Sequence, residues 1–365
     1  MKLGGAVGLF ASKNEGLVAI DISSTGVKLV ELARVRSGYE LKSMAIVPLP
    51  RDAIVENTVI DSMAVSQALL DALEEAQPTT RKAIIAVSGN AVIIKTVAMP
   101  TVTEFELETQ IEFEADQHVP YDIDDVYLDF QILGVSAEDA GQIDVVLVAC
   151  KREIVDDYQL VLSEAGLESQ CVDCAVFALE NAAEVLGLID ADAGIESFDG
   201  EEGQAIGLVN IGANLMNINI LKNGQMAFVR DQFYGGQNLT EEIQKEHSLG
   251  YQAAEEMKKD SFSDVDSEAV ERFYIGLTSE LVRSLDFYAA NHAEFPVQKL
   301  YLTGGASLMP DIATELEQRL GIETEVVNPF DKIKANKKKF DRGYLDRLGP
   351  MMMVPIGLAL RSFDT

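Results

Sequence analysis

Positive charge is scarce in this chain. Its 29 lysines and arginines stand against 60 aspartates and glutamates, a formal net charge of -31 over 365 residues. Repulsion from phosphate backbones then argues against nucleic acid as a partner, and an anionic membrane surface would also repel the bulk of the protein. A single bound nucleotide stays allowed, because converging backbone donors and a metal ion outweigh a distant field. The one basic run, Lys332 to Arg342 with five lysines, fits a solvated loop or helix face. Long apolar runs are missing as well. No stretch approaches the roughly 20 residues that span a bilayer, so direct membrane insertion is not expected. The uncharged opening at 3–11 is short, contains glycine and lacks a small-residue cleavage site, unlike a signal peptide.

Cysteine and histidine are equally thin, three of each. Cys150, Cys171 and Cys174 fit a reducing compartment. Cys171 and Cys174 have C-x-x-C spacing, but there is no second pair to complete a zinc site, so they read as core thiols. No histidine neighbours another histidine or a cysteine, which leaves no metal or nucleophile cluster. The expected location is cytoplasmic. Three motifs are also absent: the G-x-x-x-x-G-K-[ST] of P-loop enzymes, a G-x-G-x-x-G after a first strand, and the G-x-S-x-G of esterases.

What is present is one pattern that occurs twice, once in each half. Leu17–Ile22 is an apolar run ending in Asp21-Ile22, followed by Ser23-Ser24-Thr25-Gly26 and the run Val27–Leu32. Ile206–Ile211, containing Asn210, is followed by Gly212-Ala213-Asn214 and the run Leu215–Leu221. A small-residue turn between β-branched runs reads as a hairpin. Backbone N–H groups in such a turn converge on an anion, and Ser or Thr hydroxyls add donors. Two of them would hold a polyphosphate from opposite sides. Asp21, at the end of a buried strand, suits Mg2+ directly or through water, or else caps its turn. Lys28 either neutralises phosphate or faces solvent. Gly304-Gly305-Ala306, between the strand Lys299–Thr303 and a helix Pro310–Leu320, allows close approach to adenosine or is a plain turn. Glu255 and Lys258 either flank a ribose or form a surface i,i+3 pair.

Length suggests two or three domains, and strands alternating with helices point to α/β construction. Helical spacing predicts Asp61–Gln77, Thr103–Asp116, Ile154–Ala165, Tyr251–Lys259 and Glu268–Ala290. Extended runs are predicted at Tyr39–Val47, Lys82–Val87, Val92–Val97, Val126–Leu133, Asp144–Ala149 and Ser169–Phe177. The 90–166 stretch reads as an inserted subdomain, and acidic, glycine-bearing 189–204 as a linker.

The order of both hairpins, Gly235-Gly236-Gln237-Asn238-Leu239-Thr240, Ala254-Glu255-Glu256-Met257-Lys258, Thr303–Leu308 and the closing Ile356-Gly357-Leu358-Ala359-Leu360-Arg361 resembles the actin-like ATPase superfamily. Glu112–Asp122 resembles the inserted region of the PilM family of type IV pilus assembly proteins, relatives of FtsA. The resemblance implies a two-lobed, ribonuclease H-like duplicated α/β fold with the FtsA-type 1C insertion. Its expected parts are 1A at 1–89, 1C at 90–166, 1A with linker at 167–204, 2A at 205–250, 2B at 251–295, 2A at 296–345, and a return to 1A at 346–365.

By the same resemblance, ATP with Mg2+ sits between the lobes. Asp21 takes the metal side, Ser23, Ser24, Thr25 and Gly26 the first phosphate loop, and Gly212, Ala213 and Asn214 the second. Glu255 and Lys258 take the ribose, and Gly304, Gly305 and Ala306 the adenosine. The implied partner is the N-terminal cytoplasmic peptide of PilN, bound in a groove between 1A and 1C; separately, a strand edge near Val92–Val97, with Val92 and Ile94, is a place where an extended peptide can add. Motor ATPases and the platform protein are further implied partners, and a homo-oligomer or ring is compatible. Hydrolysing relatives carry an acidic residue where this chain has Asn210. A neutral amide cannot act as a general base near pH 7, so binding with slow or absent hydrolysis is expected, unless another carboxylate activates water. Two other readings are an FtsA-like polymerising ATPase and a small-molecule kinase. The first is disfavoured by a chain that stops just after its last core element, with no amphipathic anchor. The second is disfavoured by the absence of an evident base for an acceptor hydroxyl.

Overall fold

The computed structural model describes residues 16–89, 92–136, 139, 141–189 and 205–363. The opening at 3–11 and, apart from Ile189, the linker at 189–204 lie outside the described residues. The chain divides into two compact units. One comprises Met1–Leu29, Ala45–Ala175 and Arg361–Thr365, and the other Val30–Met44 and Val176–Leu360.

In the first unit, β1 (Val18–Ser23) pairs in parallel with β6 (Lys82–Val87), which pairs in parallel on its other side with β10 (Glu168–Cys174). Five of the six residues of β6 are buried, the continuous apolar reading of a strand covered on both faces. Along the chain between β1 and β6 come β2 (Gly26–Val35) and β3 (Gly38–Pro48), of which Val30–Met44 belongs to the second unit, then a small hairpin of β4 (Ile54–Val55) and β5 (Thr58–Val59), and α1 (Ser62–Ala76). Helix α1 starts where the Asp61 carboxylate accepts the Ala64 N–H at 3.0 Å, and ends at Gln77 in the left-handed region, φ 48°.

The 90–166 stretch contributes β7 (Val92–Pro100), α2 (Glu104–Asp116), β8 (Val126–Val135), β9 (Gln142–Lys151) and α3 (Arg152–Glu164). Its antiparallel sheet has the order β7-β9-β8. Thr103 and Glu106 close a capping box on α2, whose Leu107, Ile111 and Ala115 pack with Val97, Met99, Val145 and Leu147.

The run Ser169–Phe177, expected as one strand, is divided. Strand β10 stops at Cys174 and Ala175 opens α4 (Ala175–Leu186). There the Asp173 carboxylate accepts the Cys174 N–H at 2.7 Å and is held by Arg361 at 2.9 Å, so a side chain takes the donor that a longer strand would use. Cys150 and Cys174 are buried core thiols, while Cys171 is half-buried. Burial pushes Cys150 up to about 12, Cys171 up to about 11 and Cys174 well above its ordinary value.

The second unit carries a sheet of order β13-β12-β11-β14-β15, formed by β11 (Ala205–Ile211), β12 (Met216–Lys222), β13 (Gln225–Gln232), β14 (Val297–Thr303) and β15 (Glu323–Val326). Its helices are α5 (Gly236–His247), α6 (Tyr251–Asp260), the long α7 (Ser267–Asn291) and α8 (Ile312–Leu320). The last two are α9 (Arg342–Leu348) and α10 (Met353–Leu360). Leu239, Ile243, Phe273, Leu277 and Tyr288 form one core with the apolar residues of β11, β12 and β14.

The lysines of the basic run are exposed, as expected of a solvated face, and the run also carries a short strand. β16 (Lys334–Ala335) pairs in parallel with β3, Lys334 Nζ meets the Ser37 hydroxyl, and Lys339 Nζ donates to the Lys42 carbonyl.

Every residue of α10 is buried, and Gly357 is the point of closest approach: a Cβ there would lie 1.7 Å from the Ala178 carbonyl oxygen of α4. Gly357→Val should therefore destabilise the protein by about 3 kcal/mol or more. Urea unfolding checks this, and a loss under about 1 kcal/mol would contradict the packing described.

Candidate functional site

The residues singled out in the sequence fall into two groups, one in each unit. In the first, β1 and β2 leave only Ser24 and Thr25 outside the strands. Neither backbone N–H meets a protein acceptor among the described residues, so the tip exposes two donors. The Ser23 hydroxyl donates instead to the Gly26 carbonyl at 3.0 Å, holding the turn closed. Gly26 is required by close approach: a Cβ there would lie 2.8 Å from the Val47 carbonyl oxygen. Lys28 neither faces solvent nor stands free. Its Nζ lies 2.6 Å from Asp21 Oδ2, with the side chains 11% and 17% exposed. Asp21 is thus a partly desolvated carboxylate already opposite one cation. It fits a hydrated Mg2+ better than a bare one, since one carboxylate rarely strips that ion of its waters.

In the second unit the β11–β12 turn is held from both sides. The Gly212 N–H donates to Leu215 O at 2.8 Å, and the Gly236 and Gln237 N–H groups donate to Gly212 O and Ala213 O at 3.0 and 2.8 Å. These last two bonds consume the first donors of α5, whose N-terminus therefore fixes the turn rather than holding an anion. The Ala213 and Asn214 N–H groups meet no protein acceptor among the described residues and form the exposed tip. A Cβ on Gly236 would lie 3.4 Å from Ala306 Cβ, 3.7 Å from Lys258 Nζ and 3.8 Å from Gly212 O. One glycine thus brings the turn, α5, α6 and the segment after β14 together. Gly304 has φ +92°, and a Cβ there would lie 2.5 Å from Ile211 O and 2.6 Å from Asn210 Oδ1. Only glycine fits that contact without strain. Gly305 and Ala306 open a short 3-10 turn, with Ser307 Oγ donating to Gly304 O at 2.7 Å.

Glu255 and Lys258 form more than a surface pair. The Lys258 ammonium reaches Gly236 O at 2.9 Å, Thr240 Oγ1 at 2.6 Å and the Glu255 carboxylate, which uses all three of its protons. The fully buried Thr240 hydroxyl also meets Glu255, and Lys259 reaches its other oxygen at 2.9 Å. Burial alone would raise the Glu255 carboxyl, but Lys258 and the hydrogen bonds from Lys258, Thr240 and Lys259 hold it below the usual range. Burial lowers Lys258 from its ordinary value against the pull of Glu255. The network ties α6 to α5, so a ribose hydroxyl would have to exchange with one of its bonds.

Sequence reasoning missed Asn217, Asp231 and Thr240. Asn210 Nδ2 donates to Asn217 Oδ1 at 2.9 Å, and Asn217 Nδ2 donates to Asp231 Oδ1 at 2.7 Å. The signal was present in the spacing. Asn210–Asn217 and Asp21–Lys28 are both seven residues apart, the same cross-hairpin partnership in each copy of the repeat.

These units, with their paired hairpins, match known proteins. The sequence fits the family described as Type IV pilus assembly protein PilM over residues 19–363. The chain belongs to the PilM family. It is also similar to the PilM solved in a PilM-PilN type IV pilus biogenesis complex, with a TM-score of 0.83 and 28% identity, covering 96% of this chain and 99% of that one. Two more distant likenesses speak to the fold alone and make it actin-like. The ethanolamine utilization protein EutJ from Carboxydothermus hydrogenoformans is 15% identical with a TM-score of 0.56, over 96% of this chain and 90% of that one. MreB 5 of Spiroplasma citri, bound to AMPPNP, is 13% identical with a TM-score of 0.50, over 95% of each chain. Among the described residues no helix is long and apolar enough to cross a membrane.

A depressed Glu255 carboxyl has a pH signature. Its stabilisation is present at neutral pH, above the ordinary carboxylate range, and is lost as pH falls through its lowered value. Glu255→Gln should unfold at a lower temperature than wild type at pH 7, with the gap narrowing between about pH 5 and 3. Thermal melts across that range check the sign, and a constant gap would contradict it.

Proposed function

We propose that this protein is an ATP-binding component of the type IV pilus inner-membrane assembly complex, which holds the N-terminal cytoplasmic peptide of PilN and links it to the pilus motor. The observation that carries the reading is the pair of hairpin tips, Ser24-Thr25 and Ala213-Asn214, each presenting uncommitted N–H groups. Family membership and the likeness to a PilM from a PilN complex support the partner. The nucleotide supplies a triphosphate whose charge such tips and a hydrated Mg2+ compensate. Asp21 stands on the metal side with Lys28 beside it, Gly304, Gly305 and Ala306 offer backbone to the adenosine, and Glu255 and Lys258 stand at the ribose. Asn210, held by Asn217, places an amide where hydrolysing relatives use a carboxylate. It orients water without taking its proton, so bound ATP persists.

A long-lived nucleotide acts here as a ligand that sets which conformation the protein holds, and so the shape of the peptide site. Strand β7 ends the β7-β9-β8 sheet, with β9 on one side only. An extended peptide adds to such an edge through main-chain hydrogen bonds. Val92 and Ile94 share one face of β7, both half-buried, while Val97 and Met99 turn to the core with α2. Motor ATPases and the platform protein are the further contacts of this role, and a ring of copies is compatible with it.

Isothermal titration with ATP and Mg2+ should give saturable binding, while phosphate release stays far below about 1 per second. No binding, or turnover near that rate, would defeat the nucleotide reading. A fluorescent peptide from the PilN N-terminus should bind wild type, and lose about tenfold or more in affinity with Val92→Asp/Ile94→Asp. Unchanged affinity in that variant would remove the β7 edge as the peptide site.

A further inference from the structure

We propose that Asp231 is a positioning residue for Asn210: through Asn217 it decides which atom of the Asn210 amide faces the Gly304 turn. The inference rests on the nucleotide reading of that turn. Asn210, Asn217 and Asp231 stand side by side in register on β11, β12 and β13. Directly opposite residues share a face of a sheet, so the three side chains form one row.

An amide has a donor end and an acceptor end, and nothing in its shape distinguishes them. The ends of a row decide its direction. A carboxylate only accepts, so Asp231 compels Asn217 to turn its Nδ2 outward, at 2.7 Å. Asn217, 5% exposed, then has only Oδ1 left for Asn210. Asn210 answers with Nδ2 at 2.9 Å. Its own Oδ1 is left on the side of Gly304, 2.6 Å from where a Cβ would stand, with no protein donor among the described residues. The row therefore delivers an uncharged acceptor to the turn. That atom welcomes the hydrogen of a water, including one held by a divalent cation. It disfavours a phosphate oxygen, which is an acceptor too. Asp231 thereby makes this side of the site selective for nucleotide that arrives with its hydrated metal.

With Asp231→Asn the end of the row donates as readily as it accepts. The row can reverse and present Asn210 Nδ2, which suits a bare phosphate oxygen. Asn217→Ser cuts the row while leaving Asp231 in place. Two measurements test the assignment. In the ligand-free protein labelled with 15N-asparagine, the Asn210 side-chain amide resonances, identified by their loss in Asn210→Ser, should shift in both variants. In fluorescent-ATP titrations, the ratio of affinity with Mg2+ to affinity with chelator should fall by about tenfold in both. A merely structural role for Asp231 would lower the melting temperature without moving either. An Asn210 amide unmoved by Asp231→Asn or by Asn217→Ser overturns the relay whether or not nucleotide binds. A shifted amide with an unchanged ratio overturns the selectivity. Absence of ATP binding to wild type defeats the nucleotide reading, and with it the selectivity, while the resonances still report on the row.

Discussion

Backbone approach that only glycine permits is the constraint on which the second unit's chemistry depends. A Cβ on Gly235 would crowd Gly212 O and stand 2.5 Å from Ala213 O, and Gly304 takes φ +92° against Ile211 O and Asn210 Oδ1. Each contact replaces side-chain volume by direct main-chain packing. The turn after β11 is consequently held by the first N–H groups of α5, and its polar neighbours keep their geometry without a ligand. Preorganised donors of this kind cost little reorganisation when an anion arrives.

The two copies of the hairpin use the same cross-strand geometry for different electrostatics. In the first unit a carboxylate meets an ammonium, Asp21 to Lys28. In the second an amide meets an amide, Asn210 to Asn217. The charged copy suits a metal and phosphates. The neutral copy lacks a proton acceptor strong enough for base catalysis, but it can be directed, because an amide row takes its polarity from whatever terminates it.

The acidic balance, 60 carboxylates against 29 basic residues, is handled locally rather than diluted. Lys258, Lys28 and Arg361 each sit in an ion pair whose two side chains are both under one-fifth exposed. Partly buried pairs are screened little by salt, and breaking one strands the other charge. These three cations therefore serve as ties within their units, while the lysines of the run at 332–342 stay exposed on a segment whose β16 pairs with β3.

The sequence by itself determined most of the helices and strands, the duplicated hairpin and the family, because each is written in short-range pattern, but it did not mark α4, β13 or β15. Apolar periodicity marks β6 and α1, small residues mark the turns, and an Asp or Thr before a helix marks its start. It marked Gly304-Gly305 for the approach of a ligand or for a plain turn, and the close neighbours that the structure gives Gly304 are Ile211 O and Asn210 Oδ1. Only the tertiary structure decided what the polar side chains are paired with. Nothing local says that Lys28 is spent on Asp21, that Lys258 spends all three protons on Gly236, Thr240 and Glu255, or that β10 stops at Cys174 where Arg361 meets Asp173. Nor does it say that Asn210 is oriented by a residue two strands away. A hydrogen bond is won by whichever partner the fold brings within about 3 Å, and that proximity is a property of the sheet and its packed helices rather than of any stretch of chain.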